Sequence, residues 1–215
     1  MNKKKGVVFS FSPKNFLHFK TILVFLQEKI QQMRVAVYCS ANSHIDEEYF
    51  LKTEELGRWL AQNGHTLVFG GTDLGLMETI AKAVKELGGR CVGVVPSKVE
   101  ERGHASKWLD ERIDCDNLSD RKDLMLQHSD IAIALPGGIG TLDEVFSMAA
   151  SATIGYHHKK VILYNICGFW NPLVMLLEHL QTQGFIRGEY TQQIAVANDL
   201  TELSDQIRES EYPGL

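Results

Sequence analysis

From Arg34 onward the chain alternates short apolar runs with segments of helical period, and that alternation narrows the fold more than any other feature. Strands are expected at RVAVYC (34–39), HTLVFG (65–70), RCVGVVP (90–96), RIDCD (112–116), DIAIALP (130–136) and KKVILYN (159–165), with a weaker QQIAVAN (192–198). Helices are expected between them at 46–62, 73–87, 119–128, 141–154, 171–183 and 201–210. Several strands are near-continuous apolar runs, as strands covered on both faces of a parallel sheet must be. With short glycine-bearing β–α loops, this is a doubly wound α/β pattern, a mainly parallel sheet with helices on both faces. Such sheets bind ligands beyond the carboxyl ends of their strands, near the switch in strand order. A site is therefore expected in the loops after Cys39, Phe69, Val95 and Leu135.

Composition excludes several function classes. A net charge of −5 over 215 residues gives no overall basic field for nucleic acid or an anionic membrane, so any phosphate must be held by local groups. Cys39, Cys91, Cys115 and Cys167 are far apart in the sequence with no C-x-x-C pair, and read as buried free thiols of a cytoplasmic protein. The histidines show no metal-ligand spacing; His157 and His158, followed by Lys159 and Lys160, read as an exposed polar turn. No metal and no cofactor are expected.

The leader, residues 1–32, has a basic start and one six-residue apolar patch, TILVFL. That is too short for a membrane span, and no small-residue cleavage site follows. It reads as an extension outside the catalytic fold, with 33–215 a single domain.

Three loops could carry chemistry. In LPGGIGTLDEVFSMAA (135–150), Gly137, Gly138 and Gly140 let backbone N–H groups approach an anion, and the next helix offers its N-terminal donors. Thr141 can add a hydroxyl. The same T-x-x-E spacing from Thr141 to Glu144 is also a capping box, and spacing alone does not choose. In FGGTDLGLM (69–77), Gly70, Gly71 and Thr72 either form a plain turn before a helix or close on a phosphorylated ligand from a second side. In NLSDRKDLMLQHSD (117–130), Arg121 and Lys122 are either a solvated face or, for Arg121, a planar fork of donors aimed across the cleft.

Together the segments YCSANS, GGTDLGLM, DRKDLM and LPGGIGTLDE resemble the LONELY GUY (LOG) family of cytokinin riboside 5′-monophosphate phosphoribohydrolases, long mislabelled as lysine decarboxylases. The resemblance runs from about Met33 to the C-terminus. Its most specific part is the family's PGGxGTxxE signature, matched by Pro136, Gly137, Gly138, Gly140, Thr141 and Glu144. It implies a Rossmann-like fold, a homodimer with active sites near the interface, and hydrolysis of a purine nucleoside 5′-monophosphate to base and ribose 5-phosphate. It also implies Glu144 and Arg121 as catalytic residues. Substrate contacts are assigned to Gly70, Gly71, Thr72, Lys122, Pro136, Gly137, Gly138, Gly140 and Thr141. The chain departs from the family's usual residues at Ser40-Ala41, Thr72, Glu78 and Ser119. None of these removes a catalytic group; they bear on the base pocket.

The expected mechanism is cleavage through an oxocarbenium-like ribosyl species. Glu144 stabilises the charge at C1′ and activates water, while Arg121 holds the substrate and assists departure of the base. Asp143, turned about 100° from Glu144 on the helix, is read as a solvated dipole-pairing group. The rival reading keeps the fold without the reaction: a nucleotide sensor, or a carrier like the molybdenum cofactor carriers that resemble this family. No lysine stands in a setting suited to decarboxylase chemistry.

Overall fold

Contacts divide the chain into two units, Met1–Gln31 and Gln32–Leu215. The computed structural model describes residues 32–211, excluding the Glu211 side chain. Apart from Gln32, the expected leader lies outside the described residues.

The described strands are β1 (Arg34–Tyr38), β2 (Thr66–Phe69), β3 (Arg90–Pro96), β4 (Glu111–Cys115), β5 (Ile131–Ala134), β6 (Val161–Tyr164) and β7 (Ile194–Ala197). The α-helices are α1 (Glu47–Gln62), α2 (Gly75–Glu86), α3 (Ser97–Glu101), α4 (Leu118–Gln127), α5 (Ile139–Thr153), α6 (Asn171–Thr182) and α7 (Leu200–Glu211). All seven strands form one parallel sheet in the order β4-β3-β2-β1-β5-β6-β7. The order reverses between β1 and β5, whose carboxyl ends lie side by side with Tyr38 opposite Ala134.

Why the strands are apolar throughout is plain from β1. Val35 and Val37 belong to a core layer with Leu56, Leu60, Ile80 and Val84. Ala36 and Tyr38 point the other way, into a layer with Met125, Val145, Met148 and Trp170. Alternate residues serve opposite faces, and both faces are covered by helices. Each fully buried Leu or Ile contributes about 1.5–3 kcal/mol by leaving water.

The differences from the expected elements have local causes. The second helix starts at Gly75 rather than residue 73, because the Asp73 N–H donates to the His104 carbonyl (2.9 Å) and Thr72 bridges Ala105. The fifth starts at Ile139, not Thr141, with Gly138 as its N-cap. Helix α3 and the short 3₁₀ turns Ile166–Gly168 and Tyr190–Gln192 have no counterpart in the pattern, being too short to show a period. Three cysteines are buried as expected, but Cys167 is exposed in the first of those turns, with φ +53°. His157 and Lys159 are half-buried, unlike His158 and Lys160 beside them, because the Lys159 ammonium folds back to donate to the Leu126 carbonyl at 2.6 Å. Among the described residues no helix is long and apolar enough to cross a membrane.

Candidate functional site

At the β1/β5 switch the sheet ladder runs on past both strands. The Leu135 N–H donates to the Tyr38 carbonyl (2.9 Å) and the Ser40 N–H to the Pro136 carbonyl (3.2 Å). Pro136 is thus buried backbone, and the chain turns outward only at Gly137.

The glycines of this turn do different jobs. A Cβ on Gly137 would lie 2.1 Å from Thr141 Oγ1, so glycine lets the Thr141 side chain fold back against the turn, where it is buried. Gly138 and Gly140 face open space. The first intrahelical bond of α5 runs from the Leu142 N–H to the Gly138 carbonyl (3.0 Å), leaving the N–H groups of the preceding turn without intrahelical partners. Open backbone donors at the positive end of a 15-residue helix suit an anion. The capping box is not formed: Gly138, not Thr141, is the N-cap, and no side chain caps the helix.

Glu144 instead points inward from the next turn, 6% exposed. Its Oε1 lies 3.4 Å from Arg121 Nη1, beyond the reach of a short charge-assisted hydrogen bond. Burial pushes the Glu144 carboxyl up to about 7, against the opposing pull of Arg121 and with a smaller push from Asp143. Tyr38 and Cys39 are made far weaker acids than usual, first by burial and then by the Glu144 charge.

Arg121 is delivered by α4, whose N-terminus is capped by Asn117 Oδ1 accepting from the Ser119 and Asp120 N–H groups at 2.9 and 3.0 Å. Its side chain is 13% exposed. A Cβ on Gly70 would fall 1.6 Å from Arg121 Nη2, so the missing side chain of Gly70 is the space the guanidinium occupies. Arg121 Nε is buried with no hydrogen-bond partner. Gly71, at φ +69°, packs against Val95 with no room for a Cβ (2.6 Å), and Thr72 is buried. Gly70, Gly71 and Thr72, grouped by the sequence pattern as ligand contacts, have separate tasks in the structure. Lys122 and Asp143 pair at 2.8 Å, joining α4 to α5, so Asp143 is not merely solvated.

Beside Arg121 opens a cavity of about 660 Å³, lined among others by Ala41, Gly70, Thr72, Met77, His104 and Ser119. A second cavity of the same volume, lined by Asp130, His157 and Gln206, adjoins the amino ends of β5 and β6, away from these groups. The sequence pattern pointed to neither His104 nor the buried Tyr38. His104 sits in a loop without a motif, and Tyr38 is one residue of an apolar strand.

The family model described as "Possible lysine decarboxylase" matches residues 77–207. A cytokinin riboside 5′-monophosphate phosphoribohydrolase of Arabidopsis thaliana is 33% identical over 174 residues, covering 81% of this chain and 76% of that one. The enzyme of the same name from Rhodococcoides fascians is 34% identical over 177 residues, covering 81% and 88%. The chain belongs to the LOG family. Solved structures of the family's fold include the Moco carrier protein of Chlamydomonas reinhardtii, at 22% identity and TM-score 0.64, covering 84% of this chain and 98% of that one. The molybdenum cofactor binding protein of Rippkaea orientalis matches at 18% identity and TM-score 0.63, covering 85% and 99%. At these identities the likeness is one of fold.

Proposed function

We propose that this LOG-family chain is a phosphoribohydrolase that cleaves the N-glycosidic bond of a purine nucleoside 5′-monophosphate, the cytokinin ribotide or AMP, releasing base and ribose 5-phosphate. The observation that carries the reading is the buried Glu144 carboxyl, raised to about 7 and set 3.4 Å from Arg121, one turn into the helix whose open amino end suits a phosphate. A carboxyl near 7 is matched to proton transfer at neutral pH. A binding protein needs no such group.

In this reading the 5′-phosphate rests on the N–H groups around Gly138 and Gly140. Anchored there, the ribose brings C1′ toward Glu144, and the base enters the cavity on the far side of Arg121. Glu144 takes a proton from the attacking water and its negative charge stabilises the ribosyl cation as the C1′–N bond breaks. The bonding electrons leave with the base, the Arg121 fork donates toward the charge that develops there, and the base takes up a proton from solvent as Glu144 returns its own. Lys122, held by Asp143, lies at the rim of a small hollow that Glu144 also lines. Two copies pair near these sites; exposed Ile139, Phe146 and Ile154 on and just beyond α5 supply an apolar face.

The test is chromatography of free base from AMP and from N6-isopentenyl-adenosine monophosphate, with the nucleosides as controls. Release from the monophosphates at rates at least a hundredfold above the nucleosides is expected, since phosphate anchoring supplies orientation (on the order of 10²-fold or more). Tight binding without release would favour the carrier reading.

A further inference from the structure

A second network ties the turn after β2 to the segment that leads into β4. Thr72 bridges Ala105, the Asp73 N–H donates to the His104 carbonyl (2.9 Å), and the Ser106 N–H donates to the Gly71 carbonyl (2.8 Å). His104 Nδ1 also lies 3.0 Å from Asp73 Oδ1. Behind this strip stands Glu78, in the first turn of α2. Its Oε2 accepts from the Ser106 hydroxyl at 2.7 Å and its Oε1 from the Trp108 indole N–H at 2.7 Å. Ser106 in turn accepts from the Trp108 N–H (3.3 Å) and is buried.

The placement of this network matters because its front face is the cavity wall. His104, Thr72 and Met77 line the cavity beside Arg121, whereas Glu78, next to Met77 in sequence, does not. Glu78 reaches the cavity only through the residues it holds. Both of its oxygens are taken by neutral donors from one five-residue segment, so a single carboxylate fixes that segment at two points.

We propose that Glu78 is a positioning residue for substrate: by holding Ser106 and Trp108 it fixes the segment 104–108 and so the place of His104, the residue of that segment that lines the cavity receiving the base. This rests on the reading of the site given above. The wall meets the base and not the ribose phosphate, so loosening it weakens binding of the whole nucleotide while leaving the phosphate end and the chemical step alone.

Three variants test this. Glu78→Ala removes both bonds, and Ser106→Ala removes one from the other side and serves where the first fails to fold. Glu78→Gln keeps both, its carbonyl accepting from Trp108 and its amide donating to the Ser106 hydroxyl, which accepts as readily as it donates. Steady-state hydrolysis of AMP is measured in each. Binding of AMP and of ribose 5-phosphate is measured by calorimetry with Glu144→Gln added, so that AMP is not consumed. The expected result for Glu78→Ala is a KM and an AMP Kd raised about tenfold, from the loss of two hydrogen bonds. Its kcat and ribose 5-phosphate Kd should stay within about twofold of the parent, and Glu78→Gln should stay close to the parent throughout. Unchanged AMP binding in Glu78→Ala and Ser106→Ala, or equal weakening of ribose 5-phosphate, overturns the inference and leaves the hydrolase reading standing. Looser AMP binding in a protein whose parent releases no base upholds the inference and sinks the hydrolase reading. A parent that binds neither AMP nor N6-isopentenyl-AMP overturns both.

Discussion

Glu144→Gln removes the carboxyl proposed to act as base, and it should also make the protein more stable in alkali. Raising a buried carboxyl from 4.5 to about 7 means the fold favours its protonated form by about 3 kcal/mol. Because the folded value lies above the unfolded one, that contribution is fully present below pH 4.5 and is lost as the pH rises through 7. Between pH 5 and pH 8 the parent therefore loses about 2.5 kcal/mol that a non-titrating glutamine does not. The pull of the Arg121 guanidinium on the ionised carboxyl is already contained in the value of about 7 and adds no further dependence on pH. The informative quantity is thus the change with pH in the stability difference between variant and parent. For a domain of this size it corresponds to roughly 5–10 °C in Tm. Calorimetric melts of both proteins at several pH values from 5 to 8 measure it. A difference constant across that range, or one moving against the variant as pH rises, refutes burial as the cause of the raised carboxyl.

The rate should follow the same group. With Glu144 required as its anion, kcat falls below neutrality and is about thirtyfold lower at pH 5.5 than at pH 8, checked with saturating AMP; a flat profile rejects Glu144 as base. Gly70→Ala places a methyl group where Arg121 Nη2 now lies, and because the guanidinium is the end of a flexible side chain it moves rather than the backbone. Activity should fall on the order of 10²-fold with Tm nearly unchanged, and parent-like turnover would show that Arg121 need not occupy that place. Arg121→Ala removes the cation that lowers the Glu144 carboxyl. It should cost about 10²–10³ in kcat and displace the remaining pH limb upward; a limb that stays in place contradicts the pairing.

Most of the fold was legible because apolar runs and helical periods report burial directly. The seven strands appear where the sequence pattern put them, within about two residues at either end. What failed was local. T-x-x-E at Thr141–Glu144 is a valid capping signal, but Gly138 and Ile139 had already begun the helix, so Thr141 came too late to cap it. Gly70, Gly71 and Thr72 looked like one phosphate loop, yet Gly70 yields space to an arginine fifty-one residues away, and no local pattern carries that information. The cavity wall was least legible of all. Residues 104–108 have no period and no motif, and their placement depends on Glu78 and the turn after β2.

Apart from Ser40, the departures from the usual LOG residues have a common location. Ala41, Thr72 and Ser119 all line the cavity on the Arg121 side, and Glu78 braces its wall from behind. None of the four touches Glu144 in an ion pair, and none belongs to the open Gly138–Gly140 turn. On the reading proposed above, keeping the Gly138–Gly140 turn and the carboxyl–guanidinium pair preserves the reaction, and changing the cavity alters which base is accepted. The expectation is specific: Thr72→Gly removes a hydroxyl, a methyl and the carbon that bears them from the wall that Met77 and Arg121 also line. It should shift the ratio of kcat/KM for N6-isopentenyl-AMP over AMP upward, on the order of tenfold, the scale of one small group in a pocket. The pH limb set by Glu144 should not move. A shifted limb would mean that the cavity and the carboxyl are one electrostatic unit, and an unchanged ratio would mean that the base lies elsewhere.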